Sequence, residues 1–501
     1  MKYLCAVALL ALFVLWGSCR NDFETVASTG NLEFSKDTVY LDTVFTNIGS
    51  STYTLKVYNR SGEDINVPNV QLAQGESSNY RLNVDGLPGK LFEDVRIPAK
   101  DSIFIFIETT ADIATLPGND PGFLYTDKLL FDRGGNEQTV DLVTLIQDAV
   151  FLFPDRFDDG TIESLNLGTS EEPILIEGFF LDDNQLGFTN EKPYVIYGYA
   201  AVPPGKTLTV QAGARIHFHA DSGIIVANTG SIQVNGAPSS DPQLLENEVI
   251  FEGDRLEPNF SDRPGQWGAI WCTEGSTDNH FTNTTIKNGA VGIIMDSNDG
   301  DRTLTLKNVQ VYNSALFGVL ARTGNVYGEN VVVNNSGQAS LALSLGGEYE
   351  FNHCTFVNYW TNSFRSFPAV QLDNVLQVSD TEFLVADLNA RFNNCIVYGN
   401  EPRELGFVMS TDAAFHFNFT NSLLRFEDPN GDFLENPLYD FNNAAMYTNT
   451  VLNAAPAFQG TAANNFNIEM DTSGADNIGK AGIPPPIDLN GSSRPDPPDA
   501  G

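Results

Sequence analysis

The sequence predicts an all-β chain, an N-terminal β-sandwich followed by a β-solenoid of stacked coils. Three observations carry this. Between residues 31 and 150, short runs alternate apolar and polar residues and are broken by turn signals. From about residue 200, short strands are joined by Gly-containing bends, with no helix-length amphipathic segment between them. In the second half, a nine-residue pattern with a polar third position recurs at steps of 25, 22 and 23 residues.

The elements follow in chain order. Met1-Lys2 and the apolar run YLCAVALLALFVLW, residues 3–16, have the form of a secretory signal over residues 1–18. The small residues ahead of Cys19 resemble the lipobox of bacterial lipoproteins, although Trp16 stands where that motif usually has Leu. The resemblance implies cleavage before Cys19 and its acylation. The alternative is an uncleaved membrane anchor, for which the 14-residue run is short, against a bilayer core about 30 Å thick. Several acyl chains on Cys19 would anchor the mature chain stably. Of five cysteines, Cys5 leaves with the signal and Cys19 carries lipid. Cys272, Cys354 and Cys395 remain, an odd number without a CxxC pair, which argues against a disulfide framework and a cysteine zinc site.

Residues 19–30 read as a tether. In 31–150, Tyr53, Leu55 and Val57 alternate with Thr54, Lys56 and Tyr58, and Ile103, Ile105 and Ile107 interleave with Phe104 and Phe106. Through TLKVYNRSGEDINV and IPAKDSIFIFIE this stretch resembles bacterial immunoglobulin-like domains of the abnormal-spindle/hydin type. Residues 151–199 read as a connecting segment. Its turns Asp158-Asp159-Gly160 and Asp182-Asp183-Asn184 look like calcium loops but lack EF-hand spacing, so ordinary turn chemistry is the stronger reading.

The repeats lie in 200–430. FTNTTIKNG, LKNVQVYNS, GENVVVNNS, FNHCTFVNY and FNNCIVYGN align, and FTNSLLRF follows. Their shared column is Asn283, Asn308, Asn330, His353, Asn394 and Asn421. Asn tolerates the left-handed conformation that a sharp bend needs. Stacked about 4.8 Å apart, successive amides bond in a ladder. Ile286, Val311, Val333, Phe356 and Val397 then point inward, with Cys354 and Cys395 stacked as small hydrophobes. The step of 41 residues between His353 and Asn394 calls for one coil plus an insertion at about 361–389. Through KPYVIYGYAAVPPGKTLTVQAGARIHFHADSGIIV, VIFEGDRLEP, RPGQWGAIW and FNHCTFVNYW, the region resembles the right-handed parallel β-helices of the pectin-lyase-like superfamily. It also resembles uncharacterised bacterial surface lipoproteins. The resemblance implies a fold and no established activity. Residues 431–501 end in PPPIDLNGSSRPDPPDAG, an extended closing motif expected to dock on the last coil and cover its open edge.

The net charge is 27 − 64 = −37. It repels phosphate backbones, so nucleic acid is no partner. Acidic polysaccharides are repelled too, unless a divalent cation bridges them. Asp296, Asp299 and Asp301, with Arg302 beside them and Arg322 one coil later, form the best catalytic candidate, a solvated acidic loop being the plainer reading. His217 and His219 share a strand face, too far apart to define a metal site alone, and His280 and His353 lie on other coils. Trp267, Trp271, Tyr359 and Trp360 are candidates for stacking on sugars, or caps of the core. The expectation is an exported, lipid-anchored surface protein serving adhesion, glycan binding or a structural role without catalysis, needing no cofactor unless calcium. The alternatives are a lyase or hydrolase acting on an acidic polysaccharide, and a calcium-dependent adhesin. A groove of acids and an arginine on adjacent coils would favour the enzyme, a flat aromatic strip the binding protein.

Overall fold

The computed structural model describes residues 25–118, 121–133, 135–169, 171–241, 244–296, 301–379 and 381–501. The signal run, Cys19 and Asp299 lie outside them. The described residues form β-strands joined by turns and a few short 3-10 turns, and none of their helices is long and apolar enough to cross a membrane. They divide into two compact units, one ending at Asp148 and the other running from Ala149 to Gly501.

The first unit has two sheets. One is antiparallel, in the order Glu33–Phe34, Tyr53–Tyr58, Ser102–Thr109, Tyr80–Val84, Leu87–Gly89. The other is mixed, with Thr38–Phe45 parallel to Gln138–Gln147 at one end. A single apolar cluster draws on both sheets, including Leu55, Val57, Ile105 and Leu82 from the first and Val67, Val70, Leu129 and Leu142 from the second. Period-two alternation explains the layering: each strand sends every other side chain into this shared core. Burying each such side chain contributes roughly 1.5–3 kcal/mol.

The second unit is a parallel solenoid with an 18-stranded and a 10-stranded sheet. One coil, for example, runs through Phe317–Arg322 in the smaller sheet and then Asn325–Ser336 in the larger, which bends at Asn330. The bends are the corner column. Asn283, Asn308, Asn330, His353, Asn394 and Asn421 all have φ between 44° and 55°. Asn308 donates to Asn283 Oδ1 at 3.0 Å, and Asn330 donates to Asn308 Oδ1 at 2.8 Å. The Asn394 amide reaches His353 Nε2 at 3.0 Å. A second left-handed column, Asn288, Asn313 and Asn335, bonds in the same manner. Between the corners Ile286, Val311, Val333, Phe356 and Val397 stack in register and are buried. Cys354 and Cys395 are buried free thiols.

Three segments differ from expectation. Residues 151–199 are not a plain connector: Val150–Leu152 pairs in parallel with Tyr194–Ile196, and Leu175–Phe180 with Tyr199–Val202. These coils lack the Asn corner, so no repeat marks them. The 41-residue step contains a solenoid strand, Val370–Asp373, and an antiparallel hairpin, Val375–Gln377 with Phe383–Val385. Within 431–501, Leu438 and Phe441 pack against the core at the end of the stack, whereas the closing motif runs back along the corner column. Ile478, Lys480 and Ile487 carbonyls accept from Asn421, Asn394 and Asn330, and Arg494 donates to Asn330 Oδ1 at 2.7 Å. Extended Pro-rich chain has free carbonyls, and the corner amides supply the donors it needs.

Candidate functional site

The corner fixes which side chains face out. In Asn325–Ser336 the residues before the bend alternate: Val326 and Gly328 point to the core, so Tyr327 and Glu329 lie on the outer side, where Tyr327 is covered by its neighbours and Glu329 half-buried. The same parity in neighbouring coils builds two outward rows. One is Thr305, Tyr327, Glu350, Arg391 and Asn418; the other is Thr282, Lys307, Glu329, Asn352, Asn393 and Thr420. Each step along a row is one strand spacing, about 4.8 Å.

At the centre of this polar strip two carboxylates lie diagonally across adjacent coils, Glu350 standing two residues before Asn352, the register partner of Glu329. Diagonal neighbours in a sheet are about 7–8 Å apart. Tyr327 Oη donates to Glu329 Oε2 at 2.6 Å, and Lys307 Nζ lies 3.1 Å from Glu329 Oε1. Asn352 donates to Glu350 Oε1 at 3.1 Å and is itself held by Asn393 at 2.8 Å. Arg391 reaches Glu350 Oε2 at 3.4 Å. Arg302 lies over the Tyr327 ring, 4.4 Å from its centroid. Burial, and then the bond to Glu329, push the Tyr327 hydroxyl up to about 12, so it remains a donor at neutral pH. The strip thus presents two carboxylates flanked by cations, with Tyr327 and Asn352 buried beneath them as their hydrogen-bond donors.

Other sequence candidates are placed elsewhere. Asp296 accepts a fork of two bonds from Arg322, 2.5 and 2.7 Å, and a third from Trp271 Nε1 at 2.6 Å. These three lock one another on the outer side of the smaller sheet, which occupies the carboxylate. Asp301 is exposed, and Asp299 falls outside the described residues. Trp267 is buried against Phe218, with ring centroids 4.4 Å apart, and offers no face to a ligand. Trp360 is buried and bonded to Ser363, while Tyr359 packs against Phe458 and Phe466. The four aromatics form no strip. His217 is buried near Glu252, burial holding it below the usual histidine range, and His219 pairs with Asp254 at 2.7 Å. Among the described residues no group of three or more His, Cys, Asp or Glu is arranged to hold a metal ion. Asp159 spends its carboxylate on the Thr161 amide and hydroxyl, and Asp182 and Gln185 close a capping box, which is turn chemistry. Glu329 and Glu350 were missed, although Glu329 lies inside an aligned repeat and Glu350 immediately before the next one. They stand one and three places before the corners Asn330 and His353, in columns that are polar throughout.

No family model matches the chain, and no curated protein matches it. Among solved structures it resembles the catalytic unit of GH87 alpha-1,3-glucanase from Streptomyces thermodiastaticus at 10% identity, covering 74% of this chain and 75% of that one, with a TM-score of 0.30. A tetrasaccharide complex of a GH87 alpha-1,3-glucanase catalytic domain shows 10% identity, 74% and 82% coverage and a TM-score of 0.18. A family 123 glycoside hydrolase from Clostridium perfringens shows 11% identity over 25% of this chain, which spans 30% of that enzyme's length, with a TM-score of 0.17. The expectation of a non-catalytic surface protein is corrected here: these structures are glycoside hydrolases, and the enzyme alternative is carried forward.

Proposed function

We propose that the chain is a polysaccharide-active glycoside hydrolase whose site is the strip centred on Glu329 and Glu350. The observation that carries this reading is the carboxylate pair itself, held on adjacent coils by Tyr327, Lys307, Asn352 and Arg391. Glycosidic cleavage uses two carboxyl groups, about 5 Å apart for retention or about 6.5–9.5 Å for inversion. Glu329, with its side chain 13% exposed and tied to two partners, is the fixed base or nucleophile. Glu350, 31% exposed, is the proton donor to the leaving oxygen. Arg302, Lys307 and Arg391 suit a substrate carrying acidic groups. In the same reading the chain is exported and held to a membrane through acylated Cys19, with an immunoglobulin-like first unit and a right-handed solenoid. Two carboxylates on adjacent coils of one face are the arrangement that acid–base cleavage of a glycosidic bond calls for.

The test is release of reducing ends from a panel of acidic and neutral polysaccharides. Turnover should fall at least about 100-fold in Glu329→Gln and in Glu350→Gln, with folding intact by circular dichroism. Turnover that survives both substitutions, or none on any substrate, would remove the proposal.

A further inference from the structure

The first unit carries an outward face that its own core does not use. On the five-stranded sheet Phe104 and Phe106 are 46% and 40% exposed. Their rings are 6.4 Å apart and nearly parallel, with 12° between planes. Large exposed aromatics placed side by side are informative where a lone one is not. The register puts Thr54 opposite Phe106, Lys56 opposite Phe104, and Tyr58 one step further. Lys56 Nζ lies 5.1 Å from the centroids of both Tyr58 and Phe104. On the far side of Phe106 stands Asn83.

The charges on this face are arranged unequally. Arg60 pairs with Glu33 at 2.9 Å and Arg81 with Glu108 at 3.6 Å. Among the described residues no carboxylate lies within ion-pair distance of Lys56, although the chain carries 64 acidic residues against 27 basic ones. Asp85 stands at the hairpin turn beyond Phe104, its amide bonded to the Phe104 carbonyl. Lys56 is therefore the one cation of the patch left without an acid, set between two rings.

We infer that this face, formed by Tyr58, Phe104 and Phe106 around Lys56, binds a glycan whose sugars carry carboxylates. Phe104 and Phe106 take the apolar C–H face of a sugar, Lys56 takes a uronate carboxylate, and Asn83 and Thr54 meet hydroxyls, while Tyr58, stacked by Arg60 at 4.2 Å, borders the patch. The net negative charge does not forbid it. At physiological salt, charges beyond about 8 Å are largely screened, so the local cation decides. The site is separate from the glutamate strip and does not rest on that reading.

The experiment is affinity electrophoresis of the full chain in gels containing polygalacturonate or dextran. Retardation is expected in polygalacturonate and much less in dextran. Phe104→Ala/Phe106→Ala should weaken it about tenfold or more. Lys56→Gln should weaken it at about 50 mM salt and lose that difference near 1 M, where the screening length is only about 3 Å. All three are surface positions, and circular dichroism checks the fold. No retardation by polygalacturonate would overturn the inference. So would retardation unchanged in the double variant, or retardation lost only in Glu350→Gln, which would assign it to the strip. Equal retardation of Lys56→Gln and wild type at low salt would overturn the choice of an acidic glycan.

Discussion

Asn308→Ala tests the corner column most directly. Asn308 donates to Asn283 Oδ1 at 3.0 Å and accepts from Asn330 at 2.8 Å, with φ at 53°. The substitution removes two hydrogen bonds, about 1 kcal/mol each net. It also forces alanine into the left-handed region, for about 1 kcal/mol more. The Asn330 amide keeps a second acceptor, the Ile487 carbonyl, so no donor is stranded there. The sum is about 3 kcal/mol. Asn308→Gly relieves the backbone cost and should lose about 2 kcal/mol. Asp221→Ala, at an exposed residue with φ 57°, should show the backbone cost alone. Denaturant unfolding followed by tryptophan fluorescence reads the solenoid selectively, because Trp267, Trp271 and Trp360 all lie in it. Equal losses in Asn308→Ala and Asp221→Ala would refute the ladder as a source of stability.

Three further outcomes are expected. Burial, and then the charge of Arg494, hold His353 down at about 3. A folded-state value below the unfolded one, about 6.5, means stability is full above pH 6.5 and lost as pH falls towards 3. At pH 4.5 the loss is up to about 2–3 kcal/mol, and His353→Asn should remove that part of the acid sensitivity in a melting series from pH 7 to 4.5. Arg365 and Glu404 form a buried pair at 2.8 Å, 1% and 0% exposed. Arg365→Met should cost about 3–5 kcal/mol in denaturant unfolding, and adding Glu404→Leu should recover part of it; a double variant no better than the single would show that packing, not the stranded charge, sets the cost. Cys19→Ala should abolish incorporation of labelled fatty acid and release the chain from membranes, and labelling that persists would place the acyl group elsewhere.

The solenoid was legible because its bends impose a conformation few residues accept. Asn at 283, 308 and 330 marks three coils, and the apolar positions between them stack one per coil. Where bends use other residues the signal disappears, as between 151 and 199. The course of the closing segment was illegible for a different reason. It docks mainly through backbone carbonyls of Ile478, Lys480 and Ile487, which carry no side-chain identity. At the site, nothing in the sequence singles out Glu329 and Glu350, because polar outward columns are what any soluble solenoid shows. Only the register puts one diagonal to the other. The aspartates of 296–301 attracted notice through crowding in sequence, yet Asp296 is bound up by Arg322 and Trp271.

A stack of coils joined only to nearest neighbours peels from its free end one turn at a time. The segment from Ile478 to Arg494 changes that by touching corners at 421, 394 and 330 in a single pass. Fraying of the last coil must also release contacts made several coils earlier. The carboxyl-terminal part of the stack therefore opens as one block, and amide exchange across residues 330–424 should collapse onto a common opening free energy. Glu329 and Glu350 stand at the upstream edge of that block, so the lace that binds the corners also holds the spacing between the two acids.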